Sequence, residues 1–246
     1  MQKKIYISLG IIAILGYLVF AISAFSYKSD KQTCKGVEVV IRDSAQLRFI
    51  TKKEIILCLE QKELNPIGKN MQSVQTEQIE RLLKSQPRIK NAESYKTPSG
   101  VVYIEITQRE PILRVMNSGR SYYVDREGEI MPISSNFTAY VPIVTGAVNE
   151  EFAKGPLYDF ALYLRRNDFW NAQIEQIHVD YSEEIELIPR VGNQIILLGK
   201  LDNYEYKLNK LFSLYKNGFK QTGWNCYRQI NLKYDNQVVC TKKWKN

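Results

Sequence analysis

Residues Arg88 to Gln108 read RIKNAESYKTPSGVVYIEITQ. Two strand-like runs flank a turn. Val102, Ile104 and Ile106 alternate with Tyr103, Glu105 and Thr107, the two-residue period of a half-buried strand. Thr97-Pro98-Ser99-Gly100 carries the turn chemistry, because Pro pre-sets its own φ and Gly accepts a left-handed one. Just upstream, Pro87 ends a helical pattern over Ser73–Lys84 with Val74, Ile79, Leu82 and Leu83 on one face. Before that, LNPIGKNM breaks the chain at Pro66 and Gly68. TKKEIILCLEQ, Thr51 to Gln61, then reads as a first helix. Thr51 and Glu54 have capping-box spacing, and Ile55, Ile56 and Leu59 line one side. GVEVVIR, Gly36 to Arg42, is a further strand. The order strand, helix, helix, strand, strand makes residues 34–110 a small α+β domain.

Downstream, residues 111–241 have a different texture. After REPILRV, the stretch SYYVDREGEIMPIS predicts a hairpin turning at Asp125 to Gly128, and YVPIVTG another strand. Leu157, Phe160, Ala161 and Leu164 fall at helical spacing, with Pro156 where a first turn accepts it. IEQIHVDY, EIELIPR and IILLG read as strands, with VGNQ turning between the last two. Leu201, Tyr204, Leu208, Leu211, Phe212 and Tyr215 then share one helical face, closed by Gly218. This is a mixed β-domain with flanking helices. No repeats or low-complexity segments interrupt it.

At the other end, Ile5 to Phe25 contains no charged residue, about the length that crosses a ~30 Å hydrocarbon core. We read it as an uncleaved transmembrane helix after a cytoplasmic stub, residues 1–4. The rival is a cleavable signal peptide with a site at Ala24-Phe25-Ser26, but the apolar run exceeds the usual signal core. Lysines flank both sides, so length rather than charge sets the orientation. The large C-terminal part is expected outside the cytoplasm. The net charge of +8 comes from scattered lysines and arginines, and no nucleic-acid motif accompanies them. The cysteines, 34, 58, 226 and 240, form no C-x-x-C and signal neither a metal site nor a disulfide framework.

Catalytic players are scarce. His178, the lone histidine, lies inside a predicted strand. Glu183 and Glu184 are adjacent, so in a strand they would face opposite ways, and Asp125 and Glu127 are better used by a turn. Phosphate loops, G-x-S-x-G and H-E-x-x-H are absent. No enzyme and no cofactor are expected.

The chain nearly ends with INLKYDNQVVC, Ile230 to Cys240, which reads as two short strands around an Asp-Asn turn. Ile230, Leu232 and Tyr234 alternate with Asn231 and Lys233. Asp235-Asn236 offers a tight turn, and Gln237 to Cys240 returns with Val239 opposite Leu232 and Val238 opposite Lys233. Only a tail, residues 242–246, follows. The returning strand is therefore expected at a sheet edge, with unpaired backbone groups. Such an edge accepts an extended partner as a further strand. It is also what an ordinary terminal strand looks like when blunted by Lys242 and Lys243.

Taken in order, the uncharged span, the unit closing in ITQREPI, then YYVDREGEIMP, YVPIVTG, IILLGKLDNYEYKLNKL and INLKYDNQVV resemble the FtsQ/DivIB family of bacterial cell-division proteins. Residues 34–110 resemble that family's POTRA domain and residues 111–241 its β-domain. The resemblance implies a non-enzymatic scaffold in the inner membrane with its main part periplasmic, expected at the division septum. It implies binding of FtsB and FtsL by strand addition at the last strand. It also implies a second docking surface on the POTRA unit for partners such as FtsK and septal cell-wall synthesis proteins. On this sequence the implied partner-binding residues are Lys233, Tyr234 and Asn236, with Gln237, Val238, Val239, Cys240 and Thr241 as the receiving edge. Two departures stand out. Glu183 and Glu184 occupy the place where some members carry a partner-binding arginine, which implies a partner of altered charge or a shifted salt bridge. The aromatic residue that some members place beyond the last strand matches Lys242, with Trp244 two positions later. The alternative is a POTRA-like chaperone or docking module of envelope protein export. That class normally carries several such units or a membrane barrel.

Overall fold

The computed structural model describes residues 12–20, 32–117, 119–219 and 223–243. Residues 12–20 form a helix, α1, with apolar side chains exposed from Ile12 to Phe20. The remainder of the expected span Ile5–Phe25 lies outside the described residues, as do the stub and Trp244. Among the described residues, no helix is long and apolar enough to cross a membrane. The rest divides into two compact units, up to Gln108 and from Arg109 onward.

The first unit has the expected order: β1 (Gly36–Ile41), α2 (Lys52–Gln61), α3 (Thr76–Lys84), β2 (Ile89–Lys96) and β3 (Val101–Gln108). The sheet order is β1-β3-β2, with β1 parallel and β2 antiparallel to the central strand. The capping box is present: Thr51 Oγ1 accepts from the Glu54 amide at 3.2 Å, and the Thr51 amide donates to Glu54 Oε2 at 2.7 Å. The second helix starts three residues later than its apolar pattern predicts. Asn70 ties up the preceding turn by accepting from Gln72 N and Ser73 Oγ. Alternation on β3 buries Val102, Ile104 and Ile106 against Ile55, Leu59, Ile79 and Leu83 of the helical layer. Gln108 is 1% exposed and fully used. Its amide donates to Asp43 Oδ1 and to the Leu47 carbonyl, both at 2.9 Å, and accepts from Ile50 N at 3.0 Å. That knot ties the β1–α2 loop to the end of β3.

The second unit contains β4 (Pro111–Asn117), β5 (Arg120–Asp125), β6 (Ile130–Pro132), β7 (Ile143–Gly146), α4 (Glu150–Lys154), α5 (Pro156–Arg166), α6 (Asp168–Gln173), β8 (Ile174–Val179), β9 (Ile185–Pro189), β10 (Ile195–Gly199) and α7 (Tyr204–Ser213). A π-helical segment, Leu214–Gly218, then leads to β11 (Tyr227–Asn231) and β12 (Val239–Lys242). One nine-stranded sheet results, in the order β12-β11-β10-β9-β8-β7-β4-β5-β6. The β5–β6 turn forms where expected. Buried Asp125 accepts from Glu127 N and Glu129 N through Oδ1, and from Arg109 through Oδ2 at 2.7 Å. β7 and β8 are parallel, joined by α4 to α6, while β10 and β11 are parallel, joined by α7. These crossovers pack Leu157, Phe160, Leu164, Trp170, Leu208 and Leu211 with Val144, Ile177, Leu187, Ile196 and Ile230 in one core. α4 and α6 were not expected from the sequence, being too short for a helical period to register.

Candidate functional site

Among the described residues, the sheet has two open edges. β6 is three residues long and ends in Pro132, which blunts it. β12 is the other, paired on one side only, with β11.

The hairpin differs from its expected form. The register pairs Ile230 with Cys240, Asn231 with Val239 and Gln229 with Thr241. Compared with the expected register this is a slip of one residue. Gln237 and Val238 fall outside the strand, in a longer connection from Leu232 to Val238 instead of a two-residue turn. The slip exchanges side-chain faces. Cys240 now shares the core face with Ile230, while Val239 sits beside Asn231 and is 41% exposed.

The cause lies on α7. The Lys210 ammonium takes hydrogen bonds to the carbonyls of Tyr234, Asp235 (3.1 Å) and Leu232 (3.5 Å). The Tyr206 hydroxyl donates to the Asp235 carbonyl at 2.8 Å, and Lys210 lies 4.9 Å from the Tyr206 ring centroid. These donors satisfy three connection carbonyls and hold the loop open. Desolvation pushes the Lys210 ammonium pKa below its ordinary value, and nearby Asp235 opposes the shift.

The remaining predicted residues surround this clasp. Lys233 forms an ion pair with Glu184, and its stem crosses Gly199. Gly199 has φ +78°, and a Cβ there would stand 3.1 Å from Lys233 Cγ, so glycine suits both the backbone and the crossing side chain. Glu184 is presented by a turn in which Asp180 Oδ1 accepts from its amide at 2.8 Å. The acidic departure noted in the sequence thus meets the basic residue of the last hairpin. Tyr234 is about half exposed, and Asn236 is exposed. Lys210 and Tyr206 were not among the residues singled out from the sequence. Their apolar neighbours gave them the look of a solvated helix face.

Backbone direction fixes which groups the edge offers. Leu232 N donates to Leu197 O of β10 at 2.9 Å, so by alternation Ile230 also faces β10, while Asn231 and Gln229 face β12. Val239 and Thr241, their partners, therefore point inward to β11. Lys243 N donates to Cys226 O at 3.0 Å, which gives the same parity from the other end. Cys240 and Lys242 are left with N–H and C=O directed away from the sheet. Their side chains fall on the core face, and Val239 and Thr241 on the opposite one.

His178 lies in β8, its Nδ1 3.0 Å from Thr145 Oγ1, beside a cleft at the ends of β4, β7 and β8. Among the described residues, no group of histidine, cysteine and carboxylate side chains is placed to hold a metal.

A family model described as FtsQ/DivIB, C-terminal related, matches residues 110–241, more than half of the chain. The chain belongs to that family. A POTRA-like domain model matches residues 32–107, the span of the first unit. A search of curated proteins returns no match. Families of this kind are typically non-catalytic, and membership ties the chain to a scaffolding role in cell division.

Proposed function

We propose that the chain is a membrane-anchored, non-enzymatic scaffold of the bacterial division machinery. It receives an extended segment of an FtsB/FtsL-type bitopic coiled-coil protein as a tenth strand against β12. The observation that carries this reading is the open backbone of Cys240 and Lys242 on a strand whose approach is held by Lys210 and Tyr206. Affinity then comes from main-chain hydrogen bonds, and selectivity from exposed Val239 and Tyr234 with the Lys233–Glu184 pair. The uncharged run Ile5–Phe25 supplies the anchor in the inner membrane, which puts both units on the periplasmic side at the septum. The POTRA-like unit offers a second docking surface for FtsK-type and septal cell-wall synthesis partners.

The test titrates the full chain, in detergent, with the C-terminal segment of the FtsB-like protein of its own cell, followed by hydrogen exchange. Saturable binding that protects the Cys240 and Lys242 amides is expected, together with midcell fluorescence of a tagged chain. Absent binding with a uniform envelope distribution would sink the proposal, as would binding that leaves those two amides unprotected.

A further inference from the structure

Where β4, β7 and β8 end, the second unit has a cleft of about 790 Å³. The three strands are parallel neighbours, so their carboxyl ends lie together. From β4 the chain turns one way, into β5. From β7 it crosses the other way, through α4 to α6, into β8. Connections that part in this manner open a crevice outside the strand ends, and open α/β sheets bind their ligands there. The volume falls in the ~300–1,000 Å³ range of ligand sites. β9, β10 and β11 stand between β8 and β12, so the cleft is separate from the docking edge.

Four lining side chains are each held by the protein at one atom and keep another without a protein partner among the described residues. Asn117 gives Nδ2 to the Val148 carbonyl at 3.0 Å and keeps Oδ1. Asn149 accepts from Phe152 N through Oδ1 at 2.7 Å and keeps Nδ2. Asp180 Oδ1 accepts from Ser182 N and Glu184 N, at 2.7 and 2.8 Å, and Oδ2 stays open. His178 is set through Thr145. Gln176 Nε2 donates to Thr145 Oγ1 at 3.2 Å, so the hydroxyl proton turns to His178 Nδ1, 3.0 Å away. The ring then carries its own proton at Nε2. Two donors and two acceptors are left, each anchored in advance, which lowers the ordering cost of binding.

The frame beneath them is tight. At Gly146, φ +98°, a Cβ would stand 2.0 Å from the Val179 carbonyl oxygen and 3.0 Å from His178 Cε1, so only glycine lets β7 and β8 end this close. At the rim, Tyr181 is 99% exposed and Met116 is open as well. Arg120 reaches Glu150 at 3.3 Å, a solvated pair that leaves most of the guanidinium donors free.

We propose that this cleft binds a short extended peptide segment of a partner protein, one that carries a lysine or arginine. Its main chain alternates donors and acceptors, which the anchored set of Asn117, Asn149 and His178 matches. The open Asp180 oxygen takes the basic side chain, and with Glu150 beside Arg120 the carboxylates outnumber the cation. Tyr181 and Met116 supply adaptable apolar contact.

The probe is acetyl-Ala-Ala-Lys-Ala-Ala-amide, titrated into the full chain in detergent and followed by NMR. Saturable shifts of the Asn117 and Asn149 side-chain amides and of the His178 ring are expected. Asp180→Asn keeps both turn bonds through Oδ1 but turns the open acceptor into a donor and removes the charge. It should weaken binding about 5- to 20-fold with Tm unchanged. Cys240→Pro, which obstructs the β12 edge, should bind the probe as the parent does. A loss there would put the peptide at β12 and overturn the cleft assignment. Equal affinity in Asp180→Asn, no saturable shift, or saturation of the same signals by a chitin trisaccharide instead of the peptide would overturn it too.

Discussion

Proline distinguishes the two faces of β12. Cys240 directs its N–H away from the sheet, so Cys240→Pro removes no ladder bond to β11 and suits an edge position. Thr241 directs its N–H at Gln229, and Thr241→Pro removes a ladder bond of the hairpin itself and leaves the facing carbonyl unpaired, at a cost of roughly 1–3 kcal/mol. A strand added to β12 meets the outward groups of Cys240 and Lys242, about four bonds of ~0.5–1.5 kcal/mol each, or roughly 2–6 kcal/mol in all. Proline at 240 deletes one donor and sets its ring in the path of the incoming backbone. The affinity loss should be about 10- to 100-fold. Cys240→Ala keeps the N–H and isolates the contribution of the half-buried thiol. Titration calorimetry with the partner segment, paired with circular dichroism and thermal melts, reads all three variants. Expected are near-normal binding for Cys240→Ala, a folded but weakly binding Cys240→Pro, and a destabilised Thr241→Pro. A folded Cys240→Pro that binds as tightly as the parent would refute the backbone parity or the strand-addition mode.

Other perturbations reach other parts of the argument. Gln108→Leu leaves Asp43 Oδ1, the Leu47 carbonyl and the Ile50 amide without partners, and should cost about 2–4 kcal/mol, read as faster hydrogen exchange across residues 43–50. Lys210→Met keeps an apolar stem against Tyr206 but frees the carbonyls of Leu232 and Tyr234 and leaves that of Asp235 to the Tyr206 hydroxyl alone. Partner affinity should fall about tenfold with α7 intact by NMR, whereas unchanged binding would make the clasp irrelevant to docking. The Arg42 guanidinium, then the Tyr95 hydroxyl, hold the Glu105 carboxyl pKa below its ordinary value. Its stabilising effect is therefore complete above the ordinary carboxylate range and is lost as pH falls through the lowered folded value. Carboxyl-detected NMR should show the Glu105 midpoint rising in Arg42→Ala, and no change would leave the ion pair without effect.

How much of this was legible depends on how far apart the deciding residues stand in the chain. Where one element's own residues decide, the reading held: the period of two in Val102, Ile104 and Ile106, the Thr51–Glu54 box, and Pro156 at the start of α5 all do what their spacing says. α4 and α6 escaped because helices of five and six residues offer too few positions for a 3.6-residue period. The hairpin register escaped for another reason. Asp235-Asn236 favours a tight turn locally, but the tertiary donors Lys210 and Tyr206 satisfy the carbonyls of a longer connection. Three charge-assisted bonds and one phenolic bond outweigh a turn preference worth a fraction of that. The same reasoning bears on the docking edge. That a last strand lies open follows from its place at the end of the sheet. Which of its amides are free follows from the ladder bond of Leu232 to β10, a strand more than thirty residues upstream by sequence, and from that of Lys243 to Cys226. The edge's existence was therefore readable from its sequence, but its chemistry was not, because it is set by how β10, β11 and α7 hold the hairpin.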